Sequence, residues 1–219
     1  MVGVKKFFLI LLYVLLLCFP LITIVNSLGG KTFLQSFSDF DSAAYFFLRF
    51  FALYAIIFLF LQVLLGTFMN QLRRIFGPKM LQFHIIQGIT AYFVILLHPV
   101  MYFIFQTSTQ GLAKSFFDLP PNFNGYFNIL ISLGKIALIL LTISVLAGLL
   151  RKIPALIPHW RKLHQLNYIV FAIVIYHSWN IGQDTQEKPF VYLYPVFILG
   201  LVAGIVNKIW RYLMTFKPR

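Results

Sequence analysis

Acidic residues are scarce in this chain: five Asp and Glu in 219 residues, against eighteen Lys and Arg, for a formal net charge of +13. Charged residues of both signs make up 11% of the sequence, whereas 60% is hydrophobic and 18% aromatic. This shortage of charge excludes a soluble domain, because a chain of this length cannot hide that much apolar surface from water. A nucleic-acid-binding protein would gather its basic residues on one soluble face. Here they punctuate apolar runs instead. The near absence of acids inside those runs argues against a proton or cation pathway, which usually relies on carboxylates. Cysteine occurs once, at Cys18 in an apolar run, so no intramolecular disulfide or thiolate metal cluster can form.

What is abundant is apolar length. Six runs, near 7–25, 45–68, 82–105, 128–150, 160–180 and 190–213, each reach the about 20 helical residues that cross a hydrocarbon core. They predict an all-α membrane protein, a six-transmembrane-helix bundle forming a single domain over residues 1–219. The first run follows Lys5-Lys6 but is longer than a signal-peptide core and lacks a small-residue cleavage site, so it reads as a retained helix. Charge sets the orientation. All five acids (Asp39, Asp41, Asp118, Asp184, Glu187) fall after odd-numbered runs, with Lys31, Arg49, Lys114, Lys135 and Lys188 on or near that side. The opposite side holds Lys5, Lys6, Arg73, Arg74, Lys79, Arg151, Lys152, Arg161, Lys162, Lys208, Arg211, Lys217 and Arg219 and no acid. The positive-inside rule then places both termini in the cytoplasm, N-in/C-in. No internal repeat is evident.

Four histidines lie within these runs, where an imidazole is costly unless it is paired, coordinating or facing a cavity. His84 and His98 are fourteen residues apart in the third run, and His164 and His177 thirteen apart in the fifth. Both helices run outward, so His84 and His164 share an inner depth. His98 and His177 share an outer one, about 21 and 20 Å further along. Opposed imidazole pairs at two depths suit the axial ligation of two b-type haems, which would form a wire for electrons. Packing is the competing reading for any one of these residues. The helical angles distinguish the two walls: fourteen residues turn through about 1400°, which keeps His84 and His98 on one face, but thirteen turn through about 1300°. The fifth helix is therefore expected to contain a distortion, such as a π-bulge, or compensating tilt and rotamers. His159, between Pro158 and Trp160, reads as interfacial.

Phe83-His84, Gly88 and His98-Pro99, together with Trp160-Arg161-Lys162-Leu163-His164-Gln165-Leu166-Asn167-Tyr168 and His177, resemble the two histidine helices of the ferric reductase-like transmembrane domain. That domain is shared by ferric reductases, NADPH oxidases and the bacterial MsrQ (YedZ) haem-binding subunit, and the resemblance covers essentially the whole chain. It implies a haem-dependent transmembrane oxidoreductase or its electron-transfer subunit, a cytochrome b with His84, His98, His164 and His177 as iron ligands. The implied donor is a cytosolic flavin reductase or NAD(P)H dehydrogenase, and the implied acceptor is extracytoplasmic: ferric iron, a flavin, oxygen or a reductase. The expected location is a bacterial inner (cytoplasmic) membrane. No flavin fold or nucleotide motif is present, so flavin and NAD(P)H are expected only through a separate partner, as in MsrQ. His84, in contrast, is not a usual MsrQ feature. Two other readings stand beside this one: an MsrQ-like subunit of a periplasmic methionine sulfoxide reductase system, and a non-haem transport or scaffold membrane protein with histidines on a proton or metal path.

Other residues admit two roles each. Arg49, inside the second run, would pair with a haem propionate or snorkel to the outer surface. Arg161 and Lys162 would meet inner propionates or simply obey the charge rule, and Lys135 is expected to snorkel. Phe171 lies between His164 and His177 as a bridging ring or as packing. Gly88 lets a porphyrin approach the backbone or tightens helix packing.

Overall fold

The computed structural model describes residues 2–28 and 33–215, which form α-helices joined by turns and three short 3-10 segments; no strand occurs among the described residues. Lys31, Lys217 and Arg219, and the side chain of Arg211, all counted in the charge argument, lie outside the described residues. Lipid offers no hydrogen-bond partners, so each apolar run pairs its backbone internally as a helix. Five helices are long and apolar enough to cross a membrane. They are α1 (Val2–Ser27), α2 (Phe40–Thr67), α4 (Met80–Gln110), α6 (Tyr126–Leu149) and α10 (Leu193–Thr215), with the short α3 (Met69–Phe76) between α2 and α4 and α5 (Leu112–Phe117) after α4. The run expected as a fifth crossing at 160–180 is built differently. It consists of α7 (Trp160–His164) and α8 (Leu166–Ile181), separated at Gln165, and a four-residue α9 (Gln183–Gln186) follows. At 16 residues, α8 alone is short of a full crossing.

The helices pack as two antiparallel hairpins. In one, α2 lies along α4, and in the other α6 lies along α7 and α8. The core collects around α2, which also touches α1, α8 and α10, and at its centre Phe60, Phe171 and Phe197 are fully buried against one another. Phe171 is therefore a packing residue of this cluster. By contrast, α4 and α8 make little direct backbone contact, and between their hairpins the rings of His84 and His164 face each other.

Local chemistry sets the ends. Gly77 and Gly111 terminate α3 and α4 with φ of 90° and 87°, a region a side chain rarely tolerates. Within α4, Pro99 lacks an N–H and leaves the carbonyl of Ile95 without its usual intrahelical donor, although the helix continues to Gln110. The long connection after α4 is fastened rather than loose. Lys135 Nζ, expected to snorkel, instead donates to the carbonyls of Asp118 and Pro120 (3.0 Å to the latter). Ser132 Oγ accepts from the Asn122 N–H at 2.8 Å and donates to the Asn122 carbonyl at 2.7 Å.

Asp39 caps α2: its carboxylate accepts from the Ser42 N–H at 2.8 Å, and from the hydroxyls of Ser42 and Ser38. These bonds hold its pKa below the usual 3.8. A depressed native pKa gives stability that is complete above the unfolded value and disappears as pH falls through the native one. Asp39→Ala is expected to lower the thermal midpoint at pH 7, with the difference from the parent protein shrinking in titrations below the unperturbed value. A difference that stays constant down to acid pH contradicts the cap.

Candidate cofactor site

The site starts from the bare backbone of α6. Gly134 and Gly148 are fourteen residues apart on that helix, and the ring of a histidine from the neighbouring hairpin arm rests on each. A Cβ added at Gly134 would lie 2.9 Å from His177 Cε1, and one at Gly148 would lie 3.1 Å from His164 Nδ1. Without those methyls, the imidazoles reach the helix carbonyls four residues earlier. His177 Nδ1 donates to Leu130 O at 2.7 Å, and His164 Nδ1 donates to Ser144 O at 3.0 Å. The Ser144 hydroxyl donates in turn to the His164 carbonyl at 3.0 Å, which makes this anchor two-pointed.

The other hairpin repeats part of the device. His98 Nδ1 donates to Leu48 O on α2 at 3.3 Å, and the residue four positions on, Ala52, is again small. Gly66, fourteen residues beyond Ala52, stands behind His84, with Cε1 3.6 Å from an ideal Cβ. His84 Nδ1, however, is buried without a partner. A carbonyl only accepts, so the three anchored rings must carry their proton on Nδ1. That leaves the Nε2 lone pair free for a metal.

His84 and His164 face each other with ring centres 6.3 Å apart and planes at 88°. Two metal–imidazole bonds of about 2.0 Å each, with the rings' own radii, space two ring centres roughly 6 Å apart. The observed gap fits one metal ion. His98 is held against α2 and His177 against α6, one in each hairpin. Among the described residues no three His, Cys, Asp or Glu side chains gather as a metal cluster. A metal held by this pair would therefore need donors beyond these side chains. A cavity of about 340 Å³ opens between α4 and α6 at the His84 and His164 level, and Gly66, Gly88, Ile95, Gly148 and Arg151 help to line it. Such a volume is within the range of small-molecule and cofactor sites.

The thirteen-residue spacing is accommodated at Gln165. Its N–H is shared between the carbonyls of Arg161 and Lys162 (3.1 and 3.2 Å), and Tyr168 N–H bonds back only three residues, to Gln165 O at 3.1 Å. This is a tight turn, not a π-bulge. Winding of about 120° per residue in place of 100° moves 1300° towards four full turns, whereas a π-turn would move it away. The last helix and α2 both support the break: Lys208 Nζ on α10 donates to Gln165 Oε1, and Thr67 Oγ1 on α2 and the Tyr168 hydroxyl hydrogen bond at 2.9 Å.

The remaining expected residues are placed less directly. Arg49 forms a bidentate ion pair with Asp184, with Nε to Oδ2 at 2.6 Å, and also donates to Ser27. Its guanidinium thus has a protein anion as partner, joining α2 to the α8–α9 corner and the end of α1. Arg161 is exposed and lies over the Trp160 ring at 5.5 Å, Lys162 and His159 are exposed, and Gly88 faces the Gln62 amide. The residues not anticipated are Gly66, Gly134, Gly148, Gln62, Gln87 and Arg151. For the α6 glycines a signal was present, since their spacing equals that of His84 and His98.

A family model described as ferric reductase like transmembrane component matches residues 51–175, more than half of the chain. The match contains His84, His98 and His164 and ends two residues before His177. No curated protein and no solved structure matches the chain.

Two substitutions test the geometry without a cofactor. Gly134→Ala forces His177 off the Leu130 carbonyl, and ¹⁵N spectra of labelled histidine are expected to lose one Nδ1–H tautomer signal, at a cost of about 1 kcal/mol. An unchanged tautomer pattern contradicts the cradle. Asp184→Asn leaves Arg49 charged and half-paired, and is expected to destabilise the protein by about 3 kcal/mol in lipid-nanodisc unfolding, more than Arg49→Met with Asp184→Leu together. Equal losses contradict the pairing.

Proposed function

The chain belongs to the ferric reductase-like transmembrane family, and we propose that within it this protein conducts electrons across a bilayer through two bis-histidine b-type haems. Membership makes it an integral multi-pass protein of an oxidoreductase-type electron-transfer family. The observation that carries the finer reading is the set of histidines at two levels, three of which have Nδ1 tied to a carbonyl and Nε2 free. Bound haem would supply reversible one-electron chemistry at each level.

The chain's own residues would do the rest. His84 with His164, and His98 with His177, would hold a haem iron at each level. The carbonyls of Leu130, Ser144 and Leu48 fix ring orientation and raise ligand basicity. Arg151, in the lining of the cavity, and Arg161, over the Trp160 ring, would offer positive charge to haem propionates. Arg49, occupied by Asp184, would offer a propionate only its remaining donor capacity. The apolar walls of α2 and α6 exclude water between the levels.

Counting α7 and α8 together as one crossing gives six crossings with both termini in the cytoplasm. The gathering of Arg73, Arg74, Lys79, Arg151, Lys152, Arg161 and Lys162 at the His84 end, with Asp39, Asp118 and Asp184 at the other, supports this orientation. Electrons would then enter at the His84/His164 level from a cytosolic flavin- and NAD(P)H-dependent donor. They would leave from the His98/His177 level to an extracytoplasmic acceptor, most simply in a bacterial inner membrane.

Protein purified from haem-replete cells is expected to show a Soret band, a split α-band on reduction, and two haems per chain by pyridine haemochrome assay. His84→Ala is expected to remove the haem at its level and leave the other in part. Full haem content in both His84→Ala and His164→Ala would refute the ligand assignment.

A further inference from the structure

The four histidines are not held equally, and the difference is confined to one of them. His177, His164 and His98 each donate Nδ1–H to a helix carbonyl. His84 Nδ1 is buried and donates to nothing. The backing is also looser. The rings of His177 and His164 press within 2.9 and 3.1 Å of the ideal Cβ positions of Gly134 and Gly148, whereas His84 approaches that of Gly66 only to 3.6 Å, an ordinary contact.

A local cause is visible. At this level of the α2–α4 seam, the amide of Gln62 donates to the His84 main-chain carbonyl at 3.1 Å and to the Gln87 side chain. The polar link between the helices therefore runs through glutamine amides and the His84 backbone, and the imidazole is left out of it. A cavity of about 340 Å³ also lies at this level, and its lining includes His84, His164, Arg151 and Trp160.

Resting on the haem reading above, we propose that His84 is an exchangeable ligand, so that its site also binds a small neutral molecule of the diatomic or imidazole class. In this exchange the bond from His84 Nε2 to iron breaks and a bond from the incoming ligand forms. The imidazole leaves neutral, the iron keeps its oxidation state and no proton moves. His164 stays in place, because its Nδ1 bond and the Ser144 hydroxyl hold it from two sides. The other level, where both rings are carbonyl-anchored, stays closed. An anchored imidazole is oriented and made more basic by its carbonyl, while an unanchored one loses both effects.

The test uses the haem-loaded full chain in nanodiscs, reduced with dithionite and titrated with carbon monoxide, with haem counted in the same sample. About half of the haem is expected to give the carbon monoxide-shifted Soret band, since one of two levels exchanges. In His98→Leu, which lacks the other level, all remaining haem is expected to shift. Gly66→Ala places a methyl in contact behind the His84 ring, and is expected to slow carbon monoxide association about threefold at unchanged haem content, the effect of several added atom contacts. Two haems per chain with no shift would overturn this inference and leave the conduit reading intact. So would a shift that vanishes in haem-containing His98→Leu, or an unchanged rate in Gly66→Ala. Protein without haem would overturn both.

Discussion

A hydrogen bond from an imidazole Nδ1 to the carbonyl of a neighbouring transmembrane helix organises the centre of this protein. A helix carbonyl is already bonded to the N–H four residues on, and it accepts a second donor only from the side. The side chain that would block the approach belongs to that same residue four positions on. A glycine there lets the ring lie against the backbone, and the ring's proton is then fixed on one nitrogen. From this constraint follow the tautomer, the lone pair on Nε2, and the spacing between the two hairpins. Lipid sharpens it, because an unsatisfied imidazole in hydrocarbon has no water to turn to.

The same constraint imposes a period on helices that carry no ligand. His84 and His98 stand fourteen residues apart, and so do Ala52 and Gly66 on the other arm of their hairpin. Gly134 and Gly148 keep the same period, and the thirteen-residue spacing of His164 and His177 meets it through the tight turn at Gln165. The chain thus contains two hairpins of like design, a small-residue arm followed by a histidine arm, although the rest of their sequences share no evident repeat. The phenylalanine-rich face of α2 then serves as the common wall on which α1, α8 and α10 assemble.

Much of this was legible in the residues. Apolar length placed the five long helices to within about five positions but missed the short α3, α5 and α9 and the split of the fifth run, and charge scarcity excluded a soluble fold. Depth arithmetic paired His84 with His164, and their rings do face each other. The angular argument required the fifth run to deviate, and it does, at Gln165, but by tightening and not by a bulge. The arithmetic could not choose between these because it knew the angle to be made up and not the sense of winding the neighbours support. Arg49 was ambiguous for a related reason. Asp184 is 135 positions away, and nothing local announces that the α8–α9 corner brings it to the guanidinium. The glycines were the readable feature left unread. Glycine in membrane helices has so many packing uses that only its coincidence with the histidine spacing distinguishes these positions.

The two-hairpin design also bears on how such a protein comes to exist in a membrane at all. The partners of His164 and His177 lie on α6, and that of His98 lies on α2. Each hairpin therefore settles the polar demands of these imidazoles within a stretch of contiguous chain. A hairpin leaving the insertion machinery needs no contact with the other hairpin to make its carbonyl-bound rings, one in the first hairpin and two in the second, tolerable to lipid. The two walls are finished before they meet, and of the four rings within the helices His84 is the one that enters the bilayer with its Nδ1 still unmatched.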